Sequence, residues 1–170
     1  MTRYLVPFGL ILFAALSRVL PHPVNVAPIA ALALFGAVYL EKKHAFLIPL
    51  IALLLSDYVI GFYSGMIWVY TSFAAISCIG LWLRNHRGTV QTIGASLTSS
   101  VLFFVVTNFG VWVSSTLYSQ SFSGLVQCYV AAIPFFRNTL IGDGVYVTTL
   151  FGIFETIRHF VPSVKMQPTK

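Results

Sequence analysis

The chain has 170 residues, of which 58% are hydrophobic and 8% charged, with a mean hydropathy of +0.87. A soluble domain carries roughly 25% charged residues, so this composition excludes water as the main solvent. Ten Lys and Arg against four Asp and Glu give +6, but the cations sit at the ends of apolar runs and form no basic stripe, which speaks against nucleic acid as a partner.

In chain order the first predicted helix covers about 4–20, close to the ~17 to 25 residues that cross hydrocarbon. It follows Thr2-Arg3 as a signal peptide would, yet no small-x-small cleavage pattern comes after it, and it is read as a retained helix. Further apolar runs over about 24–40, 45–63, 66–83, 93–116 and 136–157 bring the expected total to about six transmembrane helices in one domain, residues 1–170. Between the last two, over about 120–134, Phe122, Leu125, Val126, Tyr129, Val130 and Ile133 recur at helical spacing and predict a short outer amphipathic helix. Ala27-x-x-x-Ala31 and Ala33-x-x-x-Ala37 are small-residue faces suited to close helix packing in lipid.

Six crossings put both termini on one side. Arg3, Lys42, Lys43, Arg84, Arg87, Arg158, Lys165 and Lys170 fall on that side and Arg18 and Arg137 on the other, so the positive-inside rule predicts cytoplasmic termini in an inner membrane. Trp68, Trp112 and Tyr118 then make an outer aromatic belt, and Tyr4, Tyr39 and Trp82 an inner one.

The polar residues inside the apolar runs carry the functional information. Asp57 lies about six residues below the outer end of its helix, which at ~1.5 Å per residue is roughly 9 Å deep; Asp143 and Asn108 lie at a similar depth in theirs. A carboxylate in a bilayer costs at least ~2.5 kcal/mol and needs a partner or a wet cavity. Arg18 and Arg137 are the cations on that side, and they either reach down to the aspartates or snorkel to the headgroups. Above this layer Pro21-His22-Pro23-Val24-Asn25-Val26-Ala27-Pro28 is a stiff loop, with His22 and Asn25 as polar contacts and Trp68 and Trp112 as walls. The predicted binding set is therefore Arg18, His22, Asn25, Asp57, Trp68, Asn108, Trp112, Arg137, Asn138 and Asp143.

Cys78 reads as a packing residue and Cys128, in the segment between helices, lies nearer the outer polar layer; the two give no disulfide framework and no zinc spacing. His44, His86 and His159 stand beside cations and read as solvated. There is no nucleophile elbow, metal-ligand pair or phosphate-cradling loop, so neither an enzyme nor a bound cofactor or metal is expected.

Ser17-Arg18-Val19-Leu20-Pro21-His22-Pro23-Val24-Asn25-Val26-Ala27-Pro28, Leu54-Leu55-Ser56-Asp57, Thr107-Asn108-Phe109-Gly110-Val111-Trp112 and Ala132-Ile133-Pro134-Phe135-Phe136-Arg137-Asn138-Thr139-Leu140-Ile141-Gly142-Asp143 stand together in this chain. In that combination it resembles a family of bacterial membrane proteins related to the substrate-binding S components of energy-coupling factor transporters. The resemblance implies an S-component-like six-helix bundle, an outward-facing pocket, and uptake of a vitamin or cofactor precursor, with a cobalamin-like corrinoid as the single best candidate. It also implies a possible energy-coupling module of a transmembrane subunit plus ATPases. The Ala-x-x-x-Ala face that many S components dock with is missing from the first helix, Gly9-Leu10-Ile11-Leu12-Phe13-Ala14-Ala15, which leaves solitary action open. The rival expectation is a structural or assembly subunit whose charges only lock helices together.

Overall fold

The computed structural model describes residues 2–21 and 23–160, and the side chains of all of these except 2–7 and 158. The elements are α1 Thr2–Val19, α2 Ile29–Tyr39, α3 Lys42–Ile60, α4 Met66–Asn85, α5 Thr89–Ser114 and α6 Phe122–Phe160, with no strand among the described residues. α3 to α6 are each long and apolar enough to cross a membrane. They turn large apolar side chains outward, with Val90 77% and Phe122 81% exposed. Water would drive such surfaces together, whereas lipid tails solvate them. The protein is an all-α membrane bundle.

α2 is its axis. All eleven of its residues are buried, and it packs against each of the other five helices. At ~1.5 Å per residue it spans roughly 16 Å, about half of a ~30 Å hydrocarbon core. The apolar run 24–40 therefore does not form one helix: its first part is irregular chain and its second part is α2. Proline explains the break. Pro28 sits at the N-cap, and a proline disfavours helical backbone in the residue before it, here Ala27. Asn25 adopts φ 64, a left-handed conformation that asparagine tolerates better than most residues. Hydropathy alone cannot see this, because Val24, Val26 and Ala27 are as apolar as the helix that follows.

The Ala33/Ala37 face acts as a close-packing surface, whereas Ala27 lies before the helix and forms no face with Ala31. A Cβ added to Gly80 of α4 would stand 2.6 Å from Ala37 Cβ and 3.3 Å from Ala33 O, so the glycine is what lets α4 approach the Ala33/Ala37 face of α2. At the other end of α2, Arg84 Nη1 donates to Ala37 O at 3.2 Å and Leu40 O at 2.9 Å, and Arg87 Nη2 to Val38 O at 3.2 Å. Two guanidinium groups thus satisfy the terminal carbonyls and complement the negative end of the helix dipole.

The amphipathic segment 120–134 is helical from Phe122 and runs directly into the sixth helix, giving a 39-residue α6 with Pro134 inside it. A proline removes one helical hydrogen bond but does not end a helix held on both sides of it. Here Tyr129 Oη donates to Val105 O at 2.7 Å, and Phe136 packs on Phe104 with ring centroids 4.6 Å apart. The buried stripe of this part is made by small residues, Gly124, Cys128 and Ala132, while Phe122, Val126, Val130 and Ile133 face outward.

Three smaller expectations change. Tyr39 is buried in an aromatic cluster with Phe35, Phe151 and Phe154 and belongs to no belt. His44 is buried instead of solvated, as is the neighbouring Arg84, because α3 and α4 bring both under the end of α2, whereas His86 is exposed as expected. Cys78 is exposed on the bundle's outer surface, whereas Cys128 is buried on α6.

Candidate functional site

At the end of the bundle that carries the 20–28 segment, Asp57 is completely buried and forms an ion pair with Arg18, Nη1 to Oδ1, at 2.7 Å. Tyr70 Oη donates to Asp57 Oδ2 at 3.0 Å, so both carboxylate oxygens are engaged. Arg18 Nη1 also donates to Ser56 Oγ and lies 3.4 Å from Leu53 O. This cluster ties α1 to α3 and α4, and its charges cancel inside the apolar medium that makes an unpaired charge costly.

Beside it lies a cavity of about 420 Å³ lined by Arg18, Asn25, Ala27, Ile29, Ala30, Tyr63, Phe73, Phe103, Thr139 and Asp143, among others. The first residues of α2 are in its wall, and Pro28 makes no side-chain cap hydrogen bond. The first N–H groups of a helix have no intrahelical partner and carry its positive dipole end, so the break before α2 brings backbone donors beside this cavity inside the bundle. Irregular backbone is tolerated at membrane depth only when buried in protein or lining a cavity. Asp143 is 5% exposed, and its Oδ2 accepts from Ser100 Oγ at 2.7 Å. Tyr63, in the turn between α3 and α4, adds a hydroxyl. Burial first, and the Asp57 carboxylate second, raise its pKa above the ordinary 10.0 against the opposing effect of Arg18, so it stays a neutral donor.

An adjoining cavity of about 400 Å³ shares Val24, Asn25, Val69, Phe103 and Thr139 with the first. It contains Asn108, whose Nδ2 donates back to Phe104 O at 2.7 Å, together with Thr107, Tyr118 and Cys128. Asn25 borders both spaces, which gives its left-handed backbone a positioning role. A larger cavity of about 680 Å³ lies at the opposite end around Tyr39, Arg87 and Glu155. Its polar groups are engaged with each other: Tyr39 Oη donates to Glu155 and Arg87 lies 5.7 Å over the Tyr39 ring.

The predicted set thus divides. Arg18, Asn25 and Asp143 line the first cavity and Asn25 and Asn108 the second. Asp57 lies behind Arg18 and lines neither, so the single polar layer resolves into an ion-paired cluster and two cavities. Asn138 holds the loop, its Nδ2 donating to Val24 O at 3.0 Å. Trp68 covers Gly110 and donates to Ser114 Oγ at 3.0 Å, while Trp112 donates to Ser119 O at 2.9 Å; both are braces outside the cavities. Arg137 is exposed and makes no ion pair with a described residue. It is six positions from Asp143, which at 3.6 residues per turn places it about 120° around α6. His22 lies outside the described residues. The sequence reading missed Tyr63, Tyr70, Ser100 and Thr139. Only Thr139 had a legible signal, four residues before Asp143 and so on the same helix face.

Among the described residues no cluster of three His, Cys, Asp or Glu suits a metal ion. What fold and site define is a helical membrane protein with a largely apolar cavity at one end into which a few polar groups are set. The chain belongs to the family of unknown function DUF6580, which matches residues 1–164. No curated protein and no solved structure matches it.

Proposed function

We propose that this protein binds and transports a vitamin or cofactor precursor across the bacterial inner membrane, with both termini cytoplasmic and the 20–28 segment at the outer face. The observation that supports this reading is the broken second crossing. The short buried α2 starts inside the bundle, with its backbone donors beside a cavity that also presents Asn25, Thr139 and Asp143. Discontinuous helices whose N-termini meet a cavity are how many transporters build a substrate site. The two adjoining cavities have volumes of about 420 and 400 Å³, each within the ~300 to 1,000 Å³ typical of small-molecule pockets. A corrinoid, with its macrocycle and nucleotide tail, requires both to open into one. Smaller precursors fit without that. Lys42, Lys43, Arg84 and Arg87 at the opposite end support the orientation. Resemblance to S components points to a coupling module, or to solitary action, as the energy source.

The competing reading, a structural subunit, is favoured by the mutual engagement of Arg18, Asp57, Ser56 and Tyr70. Uptake of labelled precursors by a strain lacking its own transporters separates the two. The binding reading predicts uptake that Asn108→Ala strongly reduces at unchanged protein level, since loss of an oriented amide leaves a ligand group unpaired at a cost of ~1 to 3 kcal/mol. Absence of uptake, or loss of the protein itself in the variant, supports the structural reading.

A further inference from the structure

The charges around the first cavity do not balance. Arg18 lines it but is paired with Asp57, so that pair presents no net charge. Asp143 also lines it, is 5% exposed, and receives a single hydroxyl from Ser100 at its Oδ2. No described cation lies within ion-pair distance of it, and its Oδ1 accepts from no described residue. A carboxylate this deep in an apolar bundle calls for a counter-charge, and the open oxygen is on a residue that faces empty space.

The remaining wall suits a cation as well. Phe73 and Phe103 line the same cavity and lie with ring centroids 5.3 Å apart. Aromatic faces attract positively charged nitrogen through the ring quadrupole, more strongly when water is excluded. The N-terminus of α2 contributes about half a positive charge on another part of the wall, which disfavours a cation there and favours a hydrogen-bond acceptor.

Resting on the binding reading above, we propose that the ligand is a small organic cation. Its protonated or quaternary nitrogen sits on Asp143 Oδ1, its apolar body lies against Phe73 and Phe103, and an acceptor group is turned toward the start of α2. A neutral or anionic vitamin leaves Asp143 without its counter-charge and is discriminated against.

The test uses the full chain in lipid nanodiscs, with thiamine, pyridoxamine and choline as cationic probes, riboflavin as a neutral one, and biotin and pantothenate as anionic ones. Because a ligand of the folded state raises its melting temperature, thermal shift followed by equilibrium binding ranks them. The expected result is that at least one cation binds and the anions do not, and that Asp143→Asn weakens the cation at least tenfold without lowering the melting temperature of the ligand-free protein. Thr139→Lys places an ammonium one helical turn from Asp143 and serves if the first variant folds poorly; it is expected to fold and to abolish cation binding. Preferential binding of biotin, pantothenate or riboflavin, unchanged within twofold by Asp143→Asn, overturns the cation assignment while leaving the cavity a binding site. Absence of binding by every probe in the wild-type protein overturns both.

Discussion

At the scale of single residues, the Arg18–Asp57 pair and Asp143 are two buried carboxylates with opposite circumstances. Asp57 has a cation at 2.7 Å and a tyrosine hydroxyl at 3.0 Å, whereas Asp143 has one serine hydroxyl at 2.7 Å. Removing one member of a buried pair strands the other, at a cost of about 3 to 5 kcal/mol, while replacing both by apolar residues of similar size is often neutral. Asp57→Leu is therefore expected to lower thermal stability sharply and Arg18→Met with Asp57→Leu to restore most of it; equal damage in single and double variants contradicts the pairing. The pair was legible in the sequence because a buried charge has few possible counter-ions and Arg18 was one of two. Arg137 was named on the same ground, as the other cation on that side, and side alone ignores rotation about the helix. Asn138 is a related case: its Nδ2 donates to Val24 O at 3.0 Å, a contact between residues 114 positions apart that no local pattern announces.

At the scale of elements, the site exists because α2 is short. Four of the expected spans correspond to helices shifted by at most four residues at their ends, since their apolar runs are bounded by charges or glycine, while the last extends back to Phe122. The run 24–40 does not form one helix because Pro28, read with Pro21 and Pro23 as a loop stiffener above the membrane, is itself buried and starts the helix inside the bundle. Pro134 shows the converse, a proline inside α6 that does not end it, since the turns around it are held by α5. If the left-handed backbone at Asn25, φ 64, sets the wall between the two cavities, Asn25→Gly should preserve stability, while Asn25→Val, a β-branched residue strained at positive φ, should cost about 1 to 2 kcal/mol. Limited proteolysis of the 20–28 segment alongside thermal melts reads both. Equal tolerance of glycine and valine would show that the segment is not held in that conformation.

At the scale of the whole molecule, one end gathers the two adjoining cavities and the Arg18–Asp57 pair, and the other gathers cations at the C-terminus of α2 beside the third cavity. This polarity underlies the proposed orientation. In a background with Cys78 and Cys128 replaced by serine, Ser64→Cys and Ser119→Cys are expected to react with an impermeant thiol reagent on intact cells, and Lys43→Cys and Asn85→Cys only after lysis. The reverse pattern inverts the topology and with it the direction of uptake.

The central claim is that the space beside the start of α2 is a ligand site and not a packing gap, and mass spectrometry of small molecules retained by the purified protein tests it most directly. Val69 borders both cavities, so Val69→Trp pushes an indole into the space they share. A molecule of vitamin or precursor size, near one per chain in the wild-type protein and absent from a folded Val69→Trp variant, is the result predicted. An identical small-molecule profile in both proteins would contradict the account.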